Sequence, residues 1–257
     1  MKHHIKNYNP KDRFSGLTAK YAKYRPGYPQ EIADVLKERY CLASGAVFAD
    51  IGSGTGIFSR LLLDNNYAVL GVEPNLEMRR FAEGELSNFA HYKSIGGSAE
   101  KTELADNSVD AIASAQSFHW FDHKAALPEF YRILKKDGII ILVWNERKEN
   151  NDQFHADYEQ ALQKYCPEYK HVNHKKFSLT RIEPLFTGKK IEYHHFENSQ
   201  VFGLEELIGR LESSSYCPKS GDSNHEPLLQ TVKAMFEKFQ NAGRITIEYD
   251  CVMYCIS

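Results

Sequence analysis

The stretch VFADIGSGTG, residues 47–56, decides the fold of this chain, and the apolar pattern IFSRLLL follows it directly. A β-branched, apolar run reaches an acidic residue, passes through three glycines and turns into a helical pattern. This order is typical of a buried strand, a tight turn and a helix packed back on the strand. Glycine has no Cβ atom, so the turn can adopt positive φ and a ligand can lie against its main chain. Because the next helix starts with unpaired N–H groups, the sequence predicts a polar ligand here.

The next predicted strand supplies an acidic side chain for the same ligand. Residues 67–72, YAVLGV, are typical of a buried strand, and Glu73, Pro74 and Asn75 follow it. An acid at the end of the second strand, about twenty positions after the glycine turn, is placed to accept hydrogen bonds from ribose hydroxyls. We therefore assign Glu73 to a ribose and Asn75 to the N-cap of a helix over residues 76–83.

The spacing of the glycines indicates which kind of nucleotide binds. A dinucleotide fingerprint requires Gly-x-Gly-x-x-Gly, and Ile57 stands where its third glycine would be. Asp50, just before the turn, would repel a diphosphate and attract a ligand that carries an amino or sulfonium cation. The pattern thus favours an amino-acid-bearing nucleoside over NAD.

These motifs resemble the class I S-adenosylmethionine-dependent methyltransferases, over most of residues 10–147. Beyond the glycine turn, the resemblance rests on residues 24–29, YRPGYP, and residues 115–122, AQSFHWFD, which look like the small-molecule branch that includes trans-aconitate methyltransferase. It implies S-adenosylmethionine as the cofactor, with Ala99 and Glu100 flanking the adenine. The cofactor-binding residues it implies are Asp50, Gly52, Ser53, Gly54, Thr55, Gly56, Glu73, Pro74, Asn75, Ala99, Glu100 and Gln116.

The segment after the predicted fourth strand, residues 109–115, supplies candidates for the chemistry. If the first and fourth strands are neighbours, this segment lies beside the glycine turn, in the crevice where open parallel sheets bind ligands. His119 is the candidate general base, which a hydroxyl or amine acceptor would use and a carboxylate would not. The aromatic side chains expected near the sulfonium are Phe118, His119, Trp120 and Phe121.

Candidate acceptor contacts come from both ends of the chain. The polar, aromatic arm over residues 1–30 either packs on the domain for stability or closes over the ligands, and in the second case Tyr24 and Arg25 contact the acceptor. Trp120 is a further candidate contact. Tyr216, after a predicted helix over residues 204–211, either offers a hydroxyl to the acceptor or merely ends the helix.

Composition limits the classes of function. The chain has 257 residues and a net charge of −2, which gives no electrostatic case for nucleic acid or an anionic membrane. Its five scattered cysteines predict free thiols in a reducing compartment. It lacks an apolar signal or membrane segment, so we expect a cytoplasmic protein. We also expect a monomer or homodimer. We expect no metal site, because no ligand spacing accompanies the histidines of the second half, His155, His171, His174, His194 and His195.

The predicted fold is α/β, a Rossmann-like seven-stranded, mostly parallel sheet with helices on both faces and a helical cap. The arm over residues 1–30 precedes a cofactor-binding core over residues 31–150, and residues 151–257 form the cap and the last strands. The resemblance implies an antiparallel final hairpin, from residues 191–197 and 245–256, with helical insertions at 151–188 and 203–242.

The predicted activity is methyl transfer from S-adenosylmethionine to a small-molecule carboxylate, hydroxyl or amine. Two alternatives stay open. One is a non-catalytic S-adenosylmethionine-binding domain, since methyl transfer has no obligatory catalytic residue. The other is an NAD-dependent oxidoreductase, against which Asp50 and Ile57 argue.

Overall fold

The computed structural model describes residues 18–169 and 179–257, and over these ranges its strands form one seven-stranded sheet. The strands are β1 (Val47–Ile51), β2 (Ala68–Val72), β3 (Tyr92–Ile95), β4 (Val109–Ala115), β5 (Leu134–Arg147), β6 (Ile191–Phe202) and β7 (Ile245–Ile256). The α-helices are α1 (Thr18–Tyr24), α2 (Glu31–Glu38), α3 (Ile57–Asp64), α4 (Leu76–Glu85), α5 (His123–Ile133), α6 (Gln153–Tyr165), α7 (Leu179–Ile182), α8 (Leu204–Glu212) and α9 (His225–Phe239).

The strand order is β3-β2-β1-β4-β5-β7-β6, and it brings the predicted ligand-binding motifs together at one end of the strands. Strands β1 to β5 pair in parallel, so the segments that follow β1, β2 and β4 meet at their carboxyl ends. Strand β7 runs antiparallel between β5 and β6. The predicted seven-stranded, mostly parallel sheet and its antiparallel final hairpin are confirmed.

Strand β5 shows why the central strands read as unbroken apolar runs. Ile140, Leu142 and Trp144 pack on the face that α5 covers, in one hydrophobic cluster. Their neighbours Ile139, Ile141 and Val143 pack on the opposite face, with side chains from α2 and α3. Because side chains alternate along a strand, a sheet covered on both faces requires apolar residues at every position.

The second half of the chain builds a third hydrophobic cluster beside the sheet. Helices α6, α8 and α9 pack there against the β6–β7 hairpin, with Leu162, Leu207 and Val232 fully buried. Helices α6 and α7 lie within the predicted insertion at 151–188, and α8 and α9 within that at 203–242. Within the described ranges, no helix is long and apolar enough to cross a membrane.

One local prediction is wrong and several bounds shift. The sequence KKDG, residues 135–138, predicts a turn, yet these residues belong to β5. The pairing explains this, because Leu134 pairs with Val109 and Ile139 with Ala111, so the segment is an irregularity within the strand. The amphipathic pattern over residues 30–43 predicts a helix, which in the structure ends at Glu38. Strand β6 continues beyond the predicted residue 197 to Phe202. Residues 1–17 of the predicted arm, and His171 and His174, lie outside the described residues.

Candidate functional site

The glycine turn joins β1 to α3, and its three glycines are required for two different reasons. Gly52, Gly54 and Gly56 have φ of +70°, +56° and +85°, which side chains rarely adopt. A Cβ on Gly52 would lie 2.6 Å from the Cβ of Ser117, and one on Gly56 would lie 2.8 Å from a methyl group of Leu86. The space beside Gly54 is open, since its nearest neighbour would be the sulfur of Met78 at 3.8 Å. Gly54 therefore leaves room for a ligand against the main chain.

The carboxylate of Glu73 fastens the turn to the end of β2. Its Oε2 accepts from the main-chain N–H of Gly54 at 3.0 Å, and its Oε1 accepts from that of Asn75 at 2.8 Å. Burial raises the pKa of this carboxyl group, which is 7% exposed, while both hydrogen bonds act against the rise. Asn75 caps α4 by accepting from the N–H of Met78 at 3.0 Å, as predicted. Each carboxylate oxygen still has a lone pair for a ligand hydroxyl.

A cavity of about 380 Å³, here called the glycine-turn cavity, opens at this edge of the sheet. Nine of the predicted site residues line it, namely Gly52, Gly54, Glu73, Pro74, Asn75, Ala99, Glu100, Gln116 and Trp120. Its wall is braced across the sheet, because Oε1 of Glu100 accepts from the N–H of Asp122 and the hydroxyl of Ser117 donates to the carbonyl of Ile51. The structure thus brings the loops after β1, β2, β3 and β4 around one cavity.

Four predicted cofactor-binding residues lie elsewhere. Ser53, Thr55 and Gly56 belong to the turn but are not among the residues that line this cavity. Asp50, which was expected to attract a cationic ligand, does not line it either. Asp50 is 1% exposed behind the turn, where its Oδ2 accepts from the hydroxyl of Ser59 at 2.6 Å. Burial, with a smaller contribution from the charge of Glu73, raises the pKa of Asp50 to about 7.

A second cavity, of about 120 Å³, adjoins the first and is here called the tyrosine–arginine cavity. Tyr21, Gln116 and Trp120 line both cavities, so the two cavities meet at these side chains. The predicted acceptor contacts Arg25 and Tyr216 line the second cavity. The remaining tyrosine and arginine residues that line it are Tyr28, Arg147, Tyr169, Arg210 and Tyr249.

The segment over residues 24–29, here called the strap, is tied to the sheet by side-chain amides. Asn145 and Asn198 both donate to the carbonyl of Gly27, at 3.1 and 2.9 Å, and Gln200 donates to that of Tyr24 at 3.2 Å. The ring of Tyr24 packs closely against α8, since a Cβ added to Gly209 would lie only 2.3 Å from it. The ring of Tyr24 therefore anchors the strap on α8. Although Tyr24 is a predicted acceptor contact, it lines neither cavity.

His119 is not among the residues that line either cavity. Its ring lies 4.7 Å from that of Trp120, and its Nδ1 accepts a long, 3.5 Å hydrogen bond from the indole N–H of Trp144. A neutral imidazole that accepts at Nδ1 carries its proton on Nε2, so it has no second lone pair for another proton. The base role of His119 stays a prediction. Phe118 is fully buried and stacks on His123, so only Trp120 and Phe121 of the four aromatic candidates face the ligand cavity.

Among the described residues, no group of three or more histidine, cysteine, aspartate or glutamate side chains is arranged to hold a metal ion. The five cysteines are free thiols, and four of them are buried. Burial raises the pKa of Cys166, Cys251 and Cys255 to about 12 in each case, so these thiols are protonated.

The glycine-turn cavity fits an adenosyl ligand. It offers an open main-chain surface at Gly54, a buried carboxylate at Glu73 and apolar walls at Ala99 and Phe121. The unoccupied lone pairs of Glu73 suit a pair of ribose hydroxyls, and the flat, apolar walls suit a purine. The chain thus has the fold and the ligand cleft of a nucleoside-binding α/β protein.

Comparison with known proteins identifies the class. Residues 49–142 match a family model described as a methyltransferase domain. The chain is 36% identical to an uncharacterised methyltransferase of Mycobacterium tuberculosis, over 95% of this chain and 93% of the relative. A solved putative type II methyltransferase from Anaeromyxobacter dehalogenans superposes with a TM-score of 0.67 at 20% identity, over 90% of this chain and 97% of that one.

A phosphoethanolamine N-methyltransferase of Haemonchus contortus, solved in complex with S-adenosylmethionine, superposes with a TM-score of 0.55 at 18% identity, over 94% of this chain and 56% of that one. The chain belongs to the S-adenosylmethionine-dependent methyltransferase family. This agrees with the class that the residues resemble.

The sequence did not indicate several residues of the second cavity. Arg147, Arg210 and Tyr249 come from β5, α8 and β7, which are distant in sequence. Arg147 pairs with Tyr249 across the antiparallel β5–β7 register, so the two side chains share one face. Arg147 ends β5 directly after the polar residues Asn145 and Glu146, so no local pattern singles it out.

Proposed function

We propose that this methyltransferase acts on a small molecule that binds in the tyrosine–arginine cavity, while S-adenosylmethionine binds in the glycine-turn cavity. The observation that carries the proposal is the shared wall of Tyr21, Gln116 and Trp120. Direct methyl transfer requires the donor and the acceptor to touch, and two cavities that meet at shared residues allow that contact. The modest volume of the second cavity supports a small acceptor over a polymer.

In this proposal each loop of the glycine-turn cavity has one task. Glu73 accepts hydrogen bonds from the ribose hydroxyls, and the main chain at Gly54 lies against the ligand. Ala99 and Glu100 flank the adenine. Gln116, whose φ of +61° is uncommon for a residue with a side chain, donates to the carbonyl of Asn145 at 3.1 Å and so holds the wall. Strained backbone of this kind is a frequent feature of ligand sites.

When bound, S-adenosylmethionine supplies a methyl group that its sulfonium already activates. The residues then have to align the two ligands, which in well-oriented systems lowers a barrier by roughly 7–11 kcal/mol. Tyr21, Trp120 and Phe121 place aromatic rings at the glycine-turn cavity, where cation–π attraction to a sulfonium contributes about 0.5–2 kcal/mol. The strap covers the acceptor side and excludes water.

Binding and turnover test this proposal separately. In calorimetry, S-adenosylmethionine and S-adenosylhomocysteine should bind and NAD should not. At a hundredfold excess over Kd, either ligand should stabilise the fold by about 2.7 kcal/mol. A screen of small acids, phenols and amines for S-adenosylhomocysteine release then identifies the acceptor. Preferential binding of NAD would contradict the cofactor assignment, and tight binding without release for any acceptor would favour the non-catalytic alternative.

A further inference from the structure

Three arginines line the tyrosine–arginine cavity, and one of them is neutralised within the protein. Arg147 forms a salt bridge with Glu159, and its Nη2 also donates to the hydroxyl of Tyr169 at 3.2 Å. Both members of this pair are largely buried, with 11% of each side chain exposed. A buried cation with such a partner contributes structure and needs no ligand.

Arg25 and Arg210 differ from Arg147 because their hydrogen-bond partners are neutral. Arg210, which is 8% exposed, donates from Nε to the hydroxyl of Tyr249 at 3.2 Å and from Nη1 to that of Ser214 at 3.1 Å. Arg25 donates from Nη2 to the carbonyl of Ser213 at 3.2 Å, and its buried Nε has no partner. Within residues 18–169 and 179–257, neither guanidinium group forms a salt bridge with a carboxylate.

Two buried guanidinium groups without a counter-ion are costly. Desolvation of a charge is unfavourable unless a partner compensates for it, and two like charges repel each other. Both effects lower the pKa of Arg25, burial first and the charge of Arg210 second. Burial also acts to lower the pKa of Arg210, but Tyr249, Tyr216 and Tyr158 raise it above its ordinary value. The aromatic neighbours compensate in part, since the guanidinium of Arg25 lies 4.8 Å from the ring centre of Tyr21.

Two acids also line the cavity, and they leave this pair uncompensated. Glu146 faces the opposite side of the sheet from Arg147, because the two are adjacent in β5 and side chains alternate along a strand. Glu149 follows the end of β5 and forms no salt bridge with Arg25 or Arg210 within the described ranges. The two cavity arginines without a carboxylate partner therefore lie on the strap and on α8.

We propose that the acceptor carries a carboxylate group and that Arg25 and Arg210 bind it. The planar forks of two guanidinium groups match the two oxygens of a carboxylate. Arg25 and Arg210 line only the tyrosine–arginine cavity, whereas the wall shared with the glycine-turn cavity is Tyr21, Gln116 and Trp120. The bound carboxylate is consequently an anchor, and another atom of the acceptor receives the methyl group. This inference rests on the proposed function.

Matched acid and amide probes test the anchor. Calorimetry on the full chain, saturated with S-adenosylhomocysteine, compares benzoate with benzamide and hexanoate with hexanamide. At least one acid should bind ten or more times more tightly than its amide. The Arg25→Gln and Arg210→Gln variants should each abolish that preference, and Arg25→Lys should retain part of it. The matched control is Arg244→Gln, which removes an exposed arginine paired with Glu206 and should leave the preference unchanged.

Affinity for S-adenosylhomocysteine distinguishes the two proposals and reports the fold of each variant. If the parent protein does not bind S-adenosylhomocysteine, the proposed function fails. If it binds, but no acid is preferred over its amide, or the preference survives in Arg25→Gln, the carboxylate anchor is wrong. Arg25→Gln decides the matter should Arg210→Gln fail to fold. Benzoate has no nucleophilic atom outside its carboxylate, so its methylation would also overturn the anchoring role.

Discussion

The N–H of Gly54 donates to the carboxylate of Glu73 at 3.0 Å, which ties the most open point of the glycine turn to the end of the neighbouring strand. The other carboxylate oxygen accepts from the N–H of Asn75, the residue that caps the next helix. One buried acid therefore fixes the loop after β1 relative to the loop after β2. The same acid faces the cavity in which we place the cofactor.

Glu73→Gln should weaken the binding of S-adenosylhomocysteine by about 1.5–3 kcal/mol, the range for hydrogen bonds to a charged group. The amide turns one of the two acceptors into a donor, which then faces a main-chain N–H. Calorimetry measures the change. Glu83→Gln, an exposed change on the adjacent helix, is the matched control and should bind like the parent. Equal affinities for both variants would remove Glu73 from the ribose site.

Gly54→Val should abolish cofactor binding, whereas Gly188→Val should not. Both glycines have positive φ, so both substitutions strain the backbone to a similar degree. Only Gly54 borders the glycine-turn cavity, and the space around a Cβ on Gly188 is empty. The measurement is S-adenosylhomocysteine affinity, with circular dichroism as a check on folding. If folded Gly54→Val binds like the parent, the turn is purely structural.

Gly209→Ala should impair acceptor binding through the strap. The new methyl group would overlap the ring of Tyr24, and such overpacking typically costs about 1–3 kcal/mol. Displacing Tyr24 moves Arg25, so the acid preference should fall while S-adenosylhomocysteine affinity stays. Gly203→Ala, at the start of the same helix, has its nearest neighbour at 3.6 Å and is the control. If Gly209→Ala and Gly203→Ala have the same acid preference, the strap accommodates the extra methyl group without moving Arg25.

His119→Ala should lower turnover by less than about tenfold, since His119 lines neither cavity and its Nδ1 accepts from Trp144. A general base typically contributes about 10²–10⁴-fold. The test is the rate of S-adenosylhomocysteine release on an identified acceptor, as a function of pH. A loss of a hundredfold or more, together with the disappearance of an acidic limb from the pH profile, would identify His119 as the general base.

Asp50 should make stability depend on pH. Its pKa is about 7 in the folded protein and lies near 3.8 otherwise, so between these values the native state binds more protons than the unfolded state. The free energy of unfolding of the parent should therefore fall as pH rises from 4 to 8, by up to about 4 kcal/mol relative to Asp50→Asn. Urea titrations of both proteins at several pH values measure this. Parallel pH profiles would mean that Asp50 is ionised throughout.

The sequence by itself determined the structural features that depend only on neighbouring residues. The glycine turn, the acid at the end of β2 and the Asn75 cap were predicted correctly because a strand, a turn and a helix start are encoded within about ten residues. The alternation of Ile139 to Trp144 between two cores was likewise implicit in an unbroken apolar run. These local features alone are enough to predict a ligand site at the glycine turn.

Only the tertiary structure decided which side chains face the ligands. Asp50 and His119 lie within the right motifs, yet the packing of Ser59 and Trp144 directs them away from both cavities. Arg25 lines the tyrosine–arginine cavity, where its guanidinium group donates to the carbonyl of Ser213, 188 positions away. A hydrogen bond of this kind depends on how α8 and the strap pack together. No local pattern encodes that contact, since it forms only when the whole chain has folded.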